Sequence, residues 1–347
     1  MEIVENKSQT RKMQLSGGAT FIISLPKNWI DELKIKAGEN VTIVKNSNQS
    51  LTLFPINRNE QDKKSTAIIY TTQKDSGESI KRKIIATYLA GYKTIKITTK
   101  GMRIFSEHSS SIRQLVRSKM IGTEIVESSS ETMSIQILTR LPELSFETAL
   151  KRMYLMANNM VRESIEALEE AEKEHADEVA NMDDEVDRFS LYMRRNLVLA
   201  VGNESILQDM GLKKPSDCLG YRTIVSRIER IADHASLIAK RVKFMEGKID
   251  PKIISKIKKL SENALDVFEK SITSVQEHDF EKAENVAQKV TQIINDEKQI
   301  MNKINENEKN SSVIRFALED LRRIAEYSSD IAEVAIDDNI QNIILEE

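Results

Sequence analysis

The segment RIERIADHA, residues 227–235, carries the pattern that decides the fold of most of this chain. Its apolar residues recur every three or four positions, which predicts an amphipathic helix with one buried face. A similar segment, DLRRIAE, lies at residues 320–326, and a second, weaker pair is MDDEVD at 182–187 with INDEKQ at 294–299. An internal duplication accounts for both pairs, so the sequence predicts a unit of three helices that occurs twice.

The helical period extends from that segment in both directions and covers residues 143–337. Leu150 and Ala157 begin one apolar face, and Asp250-Pro251 separates two repeats. The repeats are placed at about 143–246 and 252–337. Within them, further helices are predicted at 177–200, at 216–244, after an Asp279 cap and from Ser311.

Two shorter parts precede the helices. In residues 8–57, short strand patterns flank a helix that begins after Pro26, where a missing N–H group costs nothing. Residues 57–64 are polar and form a predicted linker. Residues 65–140 alternate strands with two helices, which predicts a small α/β sandwich. Its strands are predicted at 67–71, 94–98, 123–127 and 132–138, and its helices at 79–90 and 106–119. The predicted fold class is therefore multidomain, with β-rich, α/β and all-α parts in that order.

Composition excludes several classes of protein. The 347 residues contain one cysteine, so no intramolecular disulfide forms and a reducing compartment is expected. The first residues are polar and no apolar run approaches the roughly 18 residues of a transmembrane helix, so we expect a cytoplasmic protein without membrane insertion. The sequence shows no GxxxxGK[ST] loop, GxGxxG turn or nucleophile–base pairing, and we predict that it is not an enzyme.

Charge is divided unevenly along the chain. Residues 61–140 carry fourteen Lys and Arg against seven Asp and Glu, whereas residues 141–347 carry 29 against 41. A basic front half and an acidic back half favour different partners. The basic helical stretches Lys81–Lys83 and Arg113–Lys119 either extend a nucleic-acid surface or are ordinary solvated helix faces.

The duplicated helical part resembles the PhoU family of phosphate-uptake regulators. The resemblance rests on DDEVD at residues 183–187 and on RIERIADHA at 227–235, and it covers about residues 143–337. It implies two antiparallel three-helix bundles placed end to end. It also implies a role in setting phosphate uptake, through a transport or signalling protein or through transcription.

The N-terminal part is similar to the AbrB/SpoVT swapped-hairpin DNA-binding domains. The residues that carry this similarity are SGGATFIISLPKNW at 16–29 and KAGENV at 36–41. The family forms an intertwined dimer, and about 50 residues bury too little core alone, so a homodimer through residues 8–57 is expected.

The similarity places Arg11, Lys12 and Lys27 near the DNA-binding face of such a domain. Between residues 7 and 58 the chain has eight cations against three anions, a balance that favours salt-sensitive DNA binding. The family often carries arginines after the proline, where this chain has Ile30 and Asp31. The alternative is a domain that serves only to dimerise the protein.

The PhoU resemblance also implies metal binding through Asp/Glu-x-x-x-Asp motifs. Asp183 with Asp187 and Glu229 with Asp233 fit this motif, and residues four apart share one helix face. Oxygen ligands suit Fe, Mn or Mg, with Zn also possible. The alternative is ordinary surface ion pairing with Arg188, Arg227 and Arg230. In the second repeat, the overlay places Asn295, Gln299, Arg322 and Glu326 at these four positions, so only one carboxylate is kept. Metal is therefore predicted in the first repeat only. Arg322 is free to pair with Glu326, four residues further on.

Together these features predict a dimeric phosphate-uptake regulator that binds DNA. The helical part is expected to sense metal, phosphate status or a partner protein, and the middle α/β part to relay the signal. The alternative is an adaptor that docks on a phosphate transporter ATPase or a sensor kinase without binding DNA.

Overall fold

The computed structural model describes residues 8–45, 50–55, 66–99, 101–138, 145–305 and 309–340. The chain divides into two compact units, residues 1–63 and 64–347. The predicted linker at 57–64 lies outside the described residues, as does most of the predicted boundary between the α/β and helical parts.

In the described residues of the first unit, 8–45 and 50–55, two hairpins flank one short helix. Its elements are β1 (Gln14–Ser16), β2 (Thr20–Ile22), α1 (Lys27–Glu32), β3 (Val41–Lys45) and β4 (Leu51–Pro55). β1 pairs with β2 and β3 with β4, both antiparallel, so the predicted order of elements is confirmed. β2 ends at Ile22, earlier than the β-rich run to Leu25 indicated.

The described residues of a single copy of this unit form almost no interior. Among its described residues with assigned exposure, only Pro26 is fully buried. The large apolar side chains that remain exposed are Met13, Leu15, Phe21, Ile22, Ile23, Leu25, Ile43, Leu51 and Leu53. Such a surface is typical of a domain that completes its core with a second copy.

The second unit begins with a four-stranded sheet and two helices. The elements are β5 (Thr66–Tyr70), α2 (Gly77–Leu89), β6 (Thr94–Thr98), α3 (Ser106–Lys119), β7 (Thr123–Ser128) and β8 (Thr132–Ile137). The sheet order is β5-β6-β8-β7, with β5 and β6 parallel and the other pairs antiparallel. Both helices pack on the sheet face that carries Ile95, Ile97 and Ile135, as the predicted sandwich requires.

Among the described residues from 145 onward, seven helices follow. They are α4 (Phe146–Glu170), α5 (Lys173–Ala200), α6 (Glu204–Asp209), α7 (Asp217–Val242), α8 (Pro251–Glu277), α9 (Phe280–Met301) and α10 (Ser311–Asn339). Side chains of Ser145, Asp250 and Asp279 cap α4, α8 and α9 by accepting backbone N–H bonds. The short α6, capped by Asn203, lies where the sequence indicated only a connection.

The two three-helix bundles lie side by side, which corrects the expected end-to-end arrangement. α7 runs antiparallel beside α10, so that Arg227 Nε lies 2.8 Å from Asp330 Oδ2 and His234 Nδ1 lies 2.8 Å from Asp320 Oδ1. α4 also contacts α8, and both bundles share one hydrophobic core. The buried apolar residues of α7 and α10 belong to this common core.

The helix boundaries confirm one internal overlay and correct the other. Ile228 and Ile231 of α7 correspond to Leu321 and Ile324 of α10, and all four are buried. The overlay of 182–187 on 294–299 is wrong, because it sets buried Val186 against exposed Lys298.

The turns between the first two helices of each repeat give the correct register. Ala171 and His278 both adopt the left-handed conformation at these turns. When the two turns are superposed, Asp183 corresponds to Val290 and Asp187 to Ile294. The predicted loss of carboxylates in the second repeat therefore stands, but at different residues.

The middle α/β part docks on α5. Leu191 of α5 belongs to the α/β core. The buried Arg195 guanidinium donates to the Tyr88 carbonyl oxygen and, at 2.8 Å, to that of Tyr92. α5 is thus buried on two faces, since Val186 and Leu197 face the helical core.

Candidate metal centre

Three of the four carboxylates predicted to bind metal meet at one point between α5 and α7. One oxygen atom each from Asp183, Asp187 and Asp233 lies within 4.8 Å of the others. Asp183 and Asp187 share a face of α5 because they are four residues apart. The packing of α7 against α5 adds Asp233, so the cluster depends on tertiary structure as well as on spacing.

The cluster is partly buried and carries excess negative charge. Burial, reinforced by the Asp233 and Asp187 carboxylates, raises the pKa of Asp183 to about 6. Burial and then Asp187 also raise the pKa of Asp233. Oδ1 of Asp183 is buried and accepts no hydrogen bond. An unpaired carboxylate oxygen beside two further carboxylates fits a di- or trivalent cation with oxygen ligands.

Glu229, the fourth predicted ligand, lies beside this group rather than in it. It accepts a hydrogen bond from the Ser190 hydroxyl group, and Arg194 Nη1 lies 3.6 Å from its Oε2. Burial is the largest influence on this carboxyl and raises its pKa, against the Ser190 hydrogen bond. The geometry therefore brings together Asp183, Asp187 and Asp233, with Glu229 in an adjacent position.

Lys119, the last residue of α3, reaches this cluster from the middle α/β part. Its Nζ lies 2.5 Å from Asp187 Oδ2 and 3.3 Å from Asp184 Oδ1. Sequence reasoning missed this residue, because Lys119 and Asp187 are far apart in the chain. The basic end of the predicted helix was the one available signal, and it did not indicate a partner.

Of the three arginines expected to pair with these carboxylates, one reaches the cluster and two pair elsewhere. Arg230 Nη1 lies 3.2 Å from Asp233 Oδ2, so it does reach the cluster. Arg188 pairs with Glu185 at 2.8 Å, and Arg227 pairs with Asp330 on α10. These last two neutralise carboxylates outside the group.

The corresponding place in the second repeat has a different chemistry. Arg322 occupies the position of Glu229 and pairs with Glu326, as expected from their spacing. Glu297 of α9 is buried, which raises its pKa, with the Arg322 charge acting in the opposite direction. A guanidinium group thus stands where the first repeat has a carboxylate.

A second acidic group lies at the α4–α5 turn. Oxygen and nitrogen atoms of Glu170, Glu172 and His175 lie within 4.8 Å of one another. The His175 Nε2 atom is already 2.6 Å from Glu163 Oε2, and both Glu170 and Glu172 are exposed. This group is less suited to hold a cation than the Asp183 cluster.

The residues predicted to contact DNA are all exposed. Arg11 and Lys12 precede β1, and Lys27 is the first residue of α1. Arg11 Nη2 donates to Gln9 Oε1 at 2.7 Å. Asp31, on the same short helix as Lys27, is exposed as well. The cations on α2 and α3 mostly have partners within the chain, since Lys81, Lys83 and Lys119 form ion pairs and Arg113 donates to Ser128.

The helical part is thus a duplicated three-helix bundle with a carboxylate cluster between α5 and α7. Residues 150–242 and 257–335 each match the PhoU domain, so the helical part of this chain belongs to the PhoU family. The starts of the two matches agree with the register that the turns indicate, and their ends agree with the overlay of α7 on α10. Residues 14–61 match the family described as antidote-toxin recognition MazE, bacterial antitoxin, which confirms an AbrB-like N-terminal domain.

Solved structures of PhoU proteins are similar to this chain. The phosphate transport system regulatory protein PhoU from Streptococcus pneumoniae is 19% identical, with 58% of this chain and 96% of that chain covered and a TM-score of 0.48. PhoU from Pseudomonas aeruginosa is 16% identical, with 57% and 96% covered and a TM-score of 0.44. None of the curated proteins compared with the chain matches it. Among the described residues, no helix is both long and apolar enough to span a bilayer.

Proposed function

We propose that this protein regulates phosphate uptake as a DNA-binding transcriptional regulator rather than as an enzyme. The observation that carries the proposal is the presence of two PhoU domains and a MazE-type domain in one chain. The PhoU domains suggest that the regulated process is phosphate uptake, and the MazE-type domain suggests that regulation acts through DNA binding. Such a regulator works in the cytoplasm, in keeping with its single, reduced cysteine.

The N-terminal unit supports this role through its charge and its exposed apolar surface. A homodimer formed through Phe21, Leu51 and their neighbours doubles the number of cations at the DNA. Arg11, Lys12 and Lys27 are exposed and available for phosphate contacts. Phosphate contacts release counterions, so the affinity for DNA falls as salt increases.

The helical part contributes the sensor in this proposal. Asp183, Asp187 and Asp233 hold a metal ion in the first repeat, with Fe, Mn or Mg suited to the oxygen ligands and Zn also possible. Binding alters DNA affinity to the extent that one conformation of the protein holds the ion more tightly than another. Phosphate status or a phosphate transport or signalling protein acts on the same helical part.

The test is binding of the purified protein to a pool of its own genomic DNA fragments at several salt concentrations, followed by sequencing. Enrichment of fragments upstream of phosphate-transport genes, weakening with salt, is expected. The Arg11→Ala/Lys12→Ala variant should lose this enrichment. The Lys36→Ala/Lys45→Ala variant removes the same charge from exposed positions of the same unit and should keep most of it.

The alternative is an adaptor that acts on a transporter ATPase or a sensor kinase, with the N-terminal unit serving only as a dimeriser. Exposed Asp31 favours it, because a carboxylate on α1 repels DNA phosphates. Under this alternative, folded dimeric protein enriches no fragment with or without metal. The Arg11→Ala/Lys12→Ala variant then retains its phosphate response in cells.

A further inference from the structure

Besides Arg230, the carboxylate cluster of the first helical repeat has a cation that comes from another part of the chain, Lys119 of α3. Lys119 Nζ lies 2.5 Å from Asp187 Oδ2 and 3.3 Å from Asp184 Oδ1. The Lys119 side chain is 34% exposed, so water reaches one side of this pair. Asp187 is therefore shared between the cluster and the end of α3.

An ammonium group and a metal ion compete for this carboxylate. Asp187 belongs to the three-oxygen group with Asp183 and Asp233, so an ion held there lies close to Lys119 Nζ. Two cations at such a distance repel each other, and the repulsion is stronger in a partly buried site than in water. A multivalent ion also interacts with all three carboxylates, whereas Lys119 reaches one of them within the group.

The middle α/β part has a second attachment to α5 that does not involve the cluster. Leu191 packs in the α/β core, and Arg195 donates to the carbonyl oxygens of Tyr88 and Tyr92 near the end of α2. These contacts are buried and lie one and two helical turns beyond Asp187. Loss of the Lys119 contact would thus free the end of α3 while α2 stays attached.

We propose that Lys119 acts, beside Arg230, as a resident counter-cation of the carboxylate cluster and that a bound metal ion displaces it, which releases the end of α3 from α5. This inference rests on the metal sensor of the proposed function and specifies its regulation. Metal binding is then linked to the middle α/β part, which precedes the helices in the chain. By linkage, removal of the lysine charge strengthens metal binding.

The first test measures Mn²⁺ affinity by electron paramagnetic resonance of the full-length protein at pH 8. Lys119→Met keeps the apolar stem and removes the charge. Its Mn²⁺ dissociation constant is expected to be about fivefold lower than that of the wild type, the order expected when a partly exposed ion pair need not be broken. Arg117→Met removes the same charge from an exposed position of α3 and should change the constant less than twofold.

The second test measures hydrogen–deuterium exchange in α3. Mn²⁺ should raise exchange at the end of α3 in the wild type, and Lys119→Met should show raised exchange without metal and no further rise with it. Equal affinities for Lys119→Met and Arg117→Met, or unchanged α3 exchange on metal binding, would overturn the inference and leave the metal sensor intact. If the wild type does not bind Mn²⁺, or if Asp187→Asn binds it as tightly, the inference and the proposed sensor both fail.

Discussion

The Arg195 guanidinium group lies 4.7 Å from the centre of the Tyr88 ring and donates to the carbonyl oxygen of the same residue. One arginine of the helical part therefore covers a tyrosine of the α/β part and completes the end of α2. Because carbonyl groups at a helix end lack partners within the helix, a buried cation is a suitable donor there. This pair attaches the α/β part to α5.

Arg195→Met should destabilise the second unit by about 3 kcal/mol, because it removes the two hydrogen bonds that the buried guanidinium group donates to the carbonyl oxygens of Tyr88 and Tyr92. Urea unfolding followed by circular dichroism measures the change. Arg222→Met, at an exposed position of α7, is the control and should unfold at the wild-type midpoint. A wild-type midpoint for Arg195→Met would show that the α/β part docks by other means.

Asp183 should make the metal-free protein less stable at neutral pH than in mild acid. Its folded-state pKa of about 6 lies above the ordinary value of 3.8, so the folded protein binds this proton more tightly than the unfolded chain. The stability from that proton is complete below about pH 4 and is lost as pH rises through about 6.

Asp183→Asn tests this pH dependence, because it removes the repelling charge. It should raise the free energy of unfolding by about 1–2 kcal/mol at pH 8, after allowance for partial exposure, and by much less at pH 4. Asp177→Asn, exposed on α5, should give no such pH-dependent gain. A gain for Asp183→Asn that is equal at both pH values would rule out a shifted carboxyl group as its cause.

Metal should stabilise the protein through the Asp183 cluster. At a free metal concentration about 100 times the dissociation constant, binding should raise the free energy of unfolding by about 2.7 kcal/mol. This corresponds to a rise in Tm of roughly 5–10 °C. Chelator should remove the rise, and Asp183→Asn/Asp187→Asn should not show it. His175→Ala tests the other acidic group and should keep the full rise. The reverse pattern in calorimetry would move the metal to the α4–α5 turn.

Phe21 should be required for dimerisation of the N-terminal unit. Its side chain is 64% exposed in the single chain, and Phe244 in the helical part is exposed to a similar degree, 68%. Phe21→Asp buries a charge in the expected dimer interface and should weaken the dimer at least about tenfold. Sedimentation equilibrium compares it with Phe244→Asp, which should remain dimeric. Dissociation by Phe244→Asp instead would locate the dimer contact in the helical part.

Gly220→Ala should destabilise the contact between the two bundles. A Cβ atom at Gly220 would lie 2.7 Å from Val334 Cγ1, and the stiff valine side chain has little freedom to move away. The expected cost is about 1–3 kcal/mol, although alanine otherwise favours a helix. In a Val334→Ala background the same substitution should cost much less. An unchanged cost there would mean that the strain has another source.

The helix boundaries show how far local sequence reasoning extends. The helix at 106–119 and the Asp279 cap were predicted from period and capping alone, and both are confirmed. The overlay of 182–187 on 294–299 was wrong because it aligned charged residues of the two helices and left their buried residues out of register. Which residues of a helix are buried depends on the elements that pack against it. The local sequence around Val186 does not contain this information.

The sequence by itself determined the helical repeats, the order of the three parts and the pairing of Asp183 with Asp187. Each of these depends on period, capping or spacing within one element, which neighbouring residues specify. Tertiary structure alone decided that Asp233 joins the cluster while Glu229 lies beside it, that the bundles share one core, and that Lys119 reaches Asp187. Contacts between distant parts of a chain depend on how whole helices pack, and the local pattern of one helix does not specify its partner.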